Sequence, residues 1–375
     1  MDTKSKFYVI ILAAGYGTRL KPLSNKIPKP LIDINGKPLI SRVISNFEDA
    51  GFNKFCVILG YKKSLIREEL NKFDNVDILI SEQTDPSGMA DAIELAIKEI
   101  NQKNDKERDF NYFITAADIL FPKDEILKIY NLFIRSKSEM VLSLMRSTDH
   151  RIAKGHGNVK IADEANLSMD NDINNGLRIV DIIEKPSHHQ ILSEYYSLPL
   201  YLADQQIINY LESVKISERG EKEFQDAIKA AISRGGDIRG IKIINKMITA
   251  EIVGKYHLTD LKDIIKMNNR FLTGLEINNI RGELPKMIEP VLIKADSRIG
   301  KNVSLGPYVI IGKSCIIGDL SDLSNAIILN QSTLGMNSKL EWCIIDENVN
   351  VPEDFKAKNC FITMNDRKEL EIIKI

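Results

Sequence analysis

Two glycines two positions apart, at the end of an apolar run, are the most chemically pointed feature of this chain. The run is Ile11-Leu12-Ala13-Ala14-Gly15-Tyr16-Gly17-Thr18-Arg19-Leu20, and Pro28-Lys29-Pro30-Leu31 follows it. Glycine lets the backbone turn tightly and come close to a ligand, and backbone N–H groups at such a turn face an anion. Arg19 has the planar fork that grips terminal phosphate oxygens. Lys29, held between two prolines, is a cation on a stiffened loop and suits a second phosphate as a point charge. The spacing fits neither the P-loop nor the dinucleotide-binding glycine pattern.

These residues need a scaffold, and the first 240 or so residues supply an alternation of strand-like and helical segments. Strand patterns occupy Tyr8–Ala13, Lys54–Leu59, Val76–Ile80, Tyr112–Thr115 and Met140–Leu144. Helical spacing of apolar residues occupies Leu39–Ala50, Ser64–Phe73, Gly88–Ile100 and Glu125–Ser136. The alternation predicts an α/β domain with a mainly parallel sheet covered on both faces. Asn101–Asp109 reads as a surface loop and Asp163–Gly176 as a hairpin tip or flap. A helix over Leu258–Leu272 closes this domain, giving residues 1–273, and the Gly- and Pro-bearing stretch 274–290 reads as a linker.

The texture then changes. Ile293, Ile299, Leu305, Ile311, Ile317 and Leu323 recur every six residues, and Gly300, Gly306, Gly312 and Gly318 each follow one of them. Hexads belong to a parallel β-helix, with each aliphatic side chain in a narrow core and glycine permitting the corner. The register slips around Ala326–Leu329 and resumes less cleanly at Leu334, Leu340, Ile345 and Val351. Residues 291–375 are therefore expected to form a short β-helix of three to four coils with a C-terminal tail.

Composition narrows the partners. Lys+Arg is 51 against Asp+Glu 52, a net charge of −1, so no bulk charge draws this chain to nucleic acid or an acidic membrane. The apolar run Phe7–Ala14 is far short of the roughly 20 residues a spanning helix needs, and it leads into a glycine turn instead of a cleavage site. Cys56, Cys315, Cys343 and Cys360 show no metal or redox spacing, which points to a reduced, cytoplasmic compartment.

The Gly15–Arg19 run with its Pro28-Lys29-Pro30 tail resembles the signature of sugar nucleotidyltransferases, the nucleotide-sugar pyrophosphorylases. The layout is similar to their long form, a Rossmann-like catalytic domain followed by a hexapeptide-repeat left-handed β-helix. The resemblance implies a nucleotide cradle of Leu12, Ala13, Ala14, Gly15, Gly17, Thr18 and Arg19, with Gln83 and Gly88 reading the base from the segment Glu82–Ala92. It implies Asp118, after the strand Tyr112–Thr115, as the carboxylate for Mg²⁺, with Ala117 in the usual glycine place. Glu184 and Lys185 of Ile182-Ile183-Glu184-Lys185-Pro186 would hold sugar hydroxyls and the sugar phosphate, beside Gly157. His156 reads as a surface or hairpin residue, and Ile216–Ile228 as a structural loop into a helix.

The resemblance implies catalytic roles for Arg19, Lys29, Asp118 and Lys185. A sugar 1-phosphate would attack the α-phosphorus of a nucleoside triphosphate, and pyrophosphate would leave. Ala14 leans toward UTP or dTTP, with GTP or ATP as the alternative, and glucose 1-phosphate is the default sugar. Two departures stand out. Leu258 takes the place of the family's second metal carboxylate, leaving Asp260 or His257 as substitutes, and Ser197-Leu198-Pro199 stands where the family has Asn-x-Gly. They keep a non-catalytic regulatory subunit as a second reading. An acyltransferase in the β-helix is the third, opposed because all five histidines precede the hexads. The β-helix is instead expected to build a homo-oligomer.

Overall fold

A computed structural model describes residues 3–85, 87–104, 109–162, 176–243, 249–278, 280–282 and 284–375. They form two compact units. The first comprises Met1–Gly17, Ile27–Ile32 and Pro38–Val253, the second Thr18–Lys26, Asp33–Lys37 and Gly254–Ile375.

The first unit is built on one nine-stranded sheet. Its strands are β1 (Phe7–Ala13), β2 (Lys54–Leu59), β3 (Asp77–Glu82), β4 (Asn111–Ala116), β5 (Met140–Arg146), β6 (Asn158–Ile161), β7 (Leu177–Ile183), β8 (Tyr195–Ala203) and β9 (Ile238–Lys242). They lie in the order β3-β2-β1-β4-β8-β5-β9-β7-β6. β1 is apolar along its whole length, as a strand covered on both faces must be. The run β3-β2-β1-β4 is parallel. Helices Leu39–Asp49, Lys63–Leu70 and Met89–Lys103 make its crossovers. Met89–Lys103 buries Ala90, Ile93, Ala96, Ile97 and Ile100 at helical spacing, so Asn101–Lys103, expected in a loop, continue the helix.

The sheet is mixed, which corrects the mainly parallel expectation. β8 pairs antiparallel with β4, β5 and β6, and β7 pairs antiparallel with β6 and β9. Pro199 disguises β8 in the sequence, because proline cannot donate to a ladder and argues against a central strand. Here it sits where the register with β5 shifts between Leu198 and Tyr201, so the missing N–H falls at an irregularity. Asp163–Asn175, the expected flap, lies outside the described residues.

The second unit is strand-rich, and its long strands run parallel. Val291 pairs with Val309, Val309 with Ala326, Ala326 with Cys343, and Cys343 with Cys360. Each strand therefore returns after 17 or 18 residues. A second sheet repeats the interval through Arg298, Ile316, Thr333 and Asn350. Residues with positive φ fall at Asp296, Asn302, Tyr308, Ser314, Leu320, Asn325, Gln331, Asn337, Trp342, Asn348, Asp354 and Asn359. The steps are six residues except after Leu320, Asn337 and Asp354, where they are five. The slip read near Ala326 is thus one short side per coil, recurring every 17 residues.

Glycine's role in the hexads also differs from the expectation. The corners turn two residues later, and Gly300, Gly312 and Gly318 are needed because the next coil passes so close. A Cβ on Gly312 would lie 2.7 Å from Asn330 N, and one on Gly318 2.5 Å from Met336 N. The stretch 274–290 is not a linker. Leu275–Ile277, Arg281–Gly282 and Lys286–Met287 pair in parallel with the coil that follows. Its glycines and prolines mark turns between strands too short to carry a sequence pattern. Helix Leu261–Phe271, expected to close the first domain, packs on strands Asp322–Ile328 and Lys339–Ile345 of the second unit. Residues Leu370–Lys374 of the tail add an antiparallel strand to Lys356–Met364.

Candidate active site

A cavity of about 260 Å³ opens at the carboxyl ends of β1 to β4, where open α/β sheets bind ligands. Leu12, Ala13, Ala14, Gly15 and Gly17 line it from the end of β1, Ile58 from β2, Gln83 from beyond β3, and Ala117 and Asp118 from beyond β4. Lys29, Pro30, Gly88, Met89, Ala92 and Glu221 complete the wall. Gly17 turns with φ 63°. A Cβ on Gly15 would meet nothing within 4 Å, so the backbone there is open to a close ligand.

Lys29 Nζ lies 2.5 Å from Asp118 Oδ2, and both side chains are largely buried. Sequence motifs name both residues without pairing them. A cation and a carboxylate 89 positions apart meet in the wall because the turn Lys29–Leu31 and the end of β4 face each other across the cavity.

Gln83 is buried and its orientation is fixed. Nε2 donates to Asp91 Oδ2 at 2.9 Å and to Gly88 O at 3.2 Å, and Ser87 Oγ donates to the same Asp91 oxygen at 2.8 Å. A carboxylate only accepts, so the amide must turn its nitrogen toward Asp91 and present its carbonyl elsewhere. Gly88 has φ 114°, and the loop Ser217–Lys222 clamps it. Lys222 N donates to Ser87 O at 2.7 Å and Ala90 N donates to Lys222 O at 3.1 Å.

A second cluster gathers Gly157 and Glu184, with Lys185 beside Glu184, around Ser197, from the segment standing in the place of Asn-x-Gly, and Gln225, which no sequence motif assigns to it. A Cβ on Gly157 would lie 2.8 Å from Ser197 Oγ, 3.2 Å from Glu184 Oε2 and 3.3 Å from Gln225 Cγ. Lys185 adopts φ 44° and its Nζ is 3.4 Å from Glu184 Oε1. Glu184 Oε2 is buried without a hydrogen-bond partner. Burial pushes the Glu184 carboxyl above its ordinary value, against the pull of the Lys185 cation. Buried Tyr201 donates to Ser197 Oγ at 3.4 Å.

The segment read as structural joins the two regions. Arg219 pairs with Glu223 Oε1 at 2.6 Å, Ser217 Oγ donates to the same oxygen at 3.1 Å, and both charges act on Glu184. Two positions before Glu223, Glu221 lines the cavity. The sequence signal here is a continuous polar, charged run with one glycine, Ser217–Glu223, before the helix Phe224–Ser233, and it also fits a plain helix start.

Lys185 and Arg19 do not line the cavity. Arg19 is exposed in the turn Thr18–Leu20, a part of the second unit, and pairs with no carboxylate among the described residues. His156, expected at the surface, is buried with Nδ1 3.2 Å from Ile152 O. Leu258 is fully buried, and Asp260 caps the helix Leu261–Phe271 by accepting from Asp263 N at 3.1 Å. Among the described residues no three His, Cys, Asp or Glu side chains group as a metal site, and no helix is long and apolar enough to cross a membrane.

Comparison with known proteins fits this geometry. The nucleotidyl transferase family matches residues 8–241. The chain belongs to that family. A GMPPB C-terminal domain matches residues 287–368. The bifunctional protein GlmU of Methanococcus maripaludis is 27% identical over 363 residues, covering 92% of this chain and 74% of the relative. A glucose-1-phosphate thymidylyltransferase of Streptomyces antibioticus is 23% identical and covers 97% of this chain and 99% of its own length. UTP–glucose-1-phosphate uridylyltransferase AglF of Haloferax volcanii is 25% identical over 62% of this chain and 87% of the relative. The fold is that of a solved UDP-glucose pyrophosphorylase complexed with UDP-glucose, at TM-score 0.57, 19% identity, 70% of this chain and 97% of the other. This nucleotidyl transferase is an enzyme that acts on a sugar 1-phosphate and a nucleoside triphosphate.

Proposed function

We propose that the enzyme joins UTP or dTTP to glucose 1-phosphate, giving a nucleotide-sugar and pyrophosphate. The observation that carries the choice of base is the Gln83 amide locked by Asp91. Its carbonyl is left to accept, and uracil and thymine offer an N–H in the middle of the pairing edge, as guanine also does, where cytosine and adenine offer an acceptor. Ala14 supports the pyrimidines over GTP. Glucose is supported by the relatives that act on glucose 1-phosphate.

An oxygen of the sugar phosphate attacks the α-phosphorus in line, the bond to the bridging oxygen breaks, and pyrophosphate departs with that oxygen. The attacking oxygen is already anionic, so no base is needed. The residues must align two anions that repel and neutralise the charge that develops. Leu12 to Gly17 cradle the nucleotide with backbone N–H groups. Arg19, two residues beyond Gly17, receives the leaving pyrophosphate. Lys29 takes a reacting phosphate, Lys185 takes the sugar phosphate, and Glu184 and Gly157 accept the sugar ring. One carboxylate beside phosphate oxygens is a donor set that suits Mg²⁺. Asp118 would hold the ion, which would supply charge neutralisation at the triphosphate.

The interval of 17 or 18 residues and the positive-φ corners support a hexapeptide-repeat left-handed β-helix for the second unit. Exposed Ile316, Leu320 and Met336 on it support self-association into a homo-oligomer. The free thiols of all four cysteines accord with a reducing cytoplasm.

The test is pyrophosphate release from four triphosphates crossed with several sugar 1-phosphates. UTP or dTTP with glucose 1-phosphate is expected to be fastest, and Arg19→Ala to cut turnover by roughly 10²-fold. A purine triphosphate turning over faster than both pyrimidines would overturn the assignment of the base.

A further inference from the structure

The second unit holds a buried charge, Asp346, whose cationic partner comes from far along the chain. Asp346 follows strand Lys339–Ile345, and its side chain is only 1% exposed. A carboxylate buried to that degree is costly unless it is paired. Its partners are Thr363 Oγ1, which donates to Oδ2 at 2.7 Å, Glu347 N, which donates to Oδ1 at 2.8 Å, and one cation. That cation is Lys26, 320 positions earlier, with Nζ 2.5 Å from Oδ2. Lys26 ends the stretch Thr18–Lys26, which carries Arg19 and clusters with the coils.

The stretch is also the near half of a longer anchorage. On the far side of Lys29, Asp33 Oδ2 pairs with Lys294 Nζ at 2.8 Å. Asn35 N donates to Asn268 Oδ1 at 2.7 Å and Asn35 Nδ2 to Phe271 O at 3.2 Å. Asn268 and Phe271 lie on the helix that packs on the coil strands. Alternation along those strands turns Leu292, Ile310, Ile327, Ile344 and Phe361 away from the coil interior, yet all five are buried. The coils therefore have a covered outer face, and two pieces of the signature segment are held within the same unit by ion pairs.

We propose that Asp346 is a positioning residue for nucleotidyl transfer: through Lys26 it fixes the loop Thr18–Lys26 and so sets where Arg19 is presented. This rests on the assignment of Arg19 to the triphosphate. It gives the C-terminal coils a part in the reaction that is separate from assembly.

The experiment compares Asp346→Asn, Lys26→Met and Lys26→Arg in the full chain. Lys26 is half-exposed, so the Lys26 variants serve if Asp346→Asn fails to fold. Amide hydrogen exchange is read over residues 18–26 with strand Lys54–Leu59 as reference, and pyrophosphate release is read with UTP and glucose 1-phosphate. Exchange in the loop should rise about tenfold in Asp346→Asn and Lys26→Met, the effect of losing one charge-assisted hydrogen bond, with the reference strand unchanged. Turnover should fall about tenfold with the KM for glucose 1-phosphate unaltered, and Lys26→Arg should keep both near wild type. In an Arg19→Ala background Asp346→Asn should cost nothing further, since its effect passes through Arg19. Unchanged loop exchange, or an equal turnover loss with and without Arg19, would overturn the proposal. Full activity in Arg19→Ala alone would instead remove the role given to Arg19, and the exchange measurement would still decide whether Asp346 fixes the loop.

Discussion

Gly88→Ala is the sharpest probe of how the base is read. Gly88 has φ 114°, a region closed to a residue with a Cβ, and that strain alone costs about 1–3 kcal/mol. The added methyl would lie 2.5 Å from Lys222 N and closer still to its carbonyl oxygen. Lys222 cannot step aside freely, because its N–H bonds Ser87 O and its carbonyl accepts from Ala90 N. Moving it breaks two backbone hydrogen bonds at about 0.5–1.5 kcal/mol each. The clamp is a surface loop, so the loop gives way before the sheet does. A cost of about 3 kcal/mol corresponds to ~10²-fold in the population of the base-reading conformation. In pyrophosphate-release kinetics the KM for the triphosphate should rise by about that factor, with the KM for sugar 1-phosphate and the melting temperature little changed. A triphosphate KM within threefold of wild type would show that the clamp does not hold the base-reading loop.

Asp91→Leu frees the Gln83 amide to rotate and present its NH₂ group, so the preference for UTP over CTP should fall about tenfold, read as a ratio of kcat/KM values. Gly157→Ala puts a methyl against Ser197 and Glu184, so the KM for sugar 1-phosphate should rise at least tenfold while the triphosphate KM holds. Glu184→Gln should lower turnover and raise stability at neutral pH. The folded carboxyl titrates above its ordinary 4.5, so its contribution to stability is fully present below that value and is lost as pH rises through the folded pKa. The variant should melt above wild type at pH 7, and the gap should close below pH 4.5. A gap independent of pH would refute the raised Glu184 carboxyl.

Local pattern and tertiary contact divide the account of this protein between them. Chain-local rules sufficed for β1, β2 and the helix Leu39–Asp49, because apolar period and length settle such elements without reference to anything distant. They sufficed to place Gly15 and Gly17 at the end of β1, where both line the cavity, and for the hexads, whose aliphatic positions recur as paired, buried residues. They failed where a partner far along the chain decides. Pro199 argues against a strand until the irregularity opposite Ser143 and Leu142 accommodates it. Residues 274–290 look like a linker because strands of two or three residues carry no period of their own, and only the coil beside them makes them strands. Gln83 could be named from its type, but the way its amide points depends on Asp91. Lys29 with Asp118, Gly157 beside Ser197, Glu184 and Gln225, and Lys26 with Asp346 are juxtapositions that folding alone creates. The sequence by itself determines which cations, carboxylates, amides and glycines the chain carries and where along it they stand; which of them meet, and which way each one faces, is decided by contacts between residues that no local spacing relates.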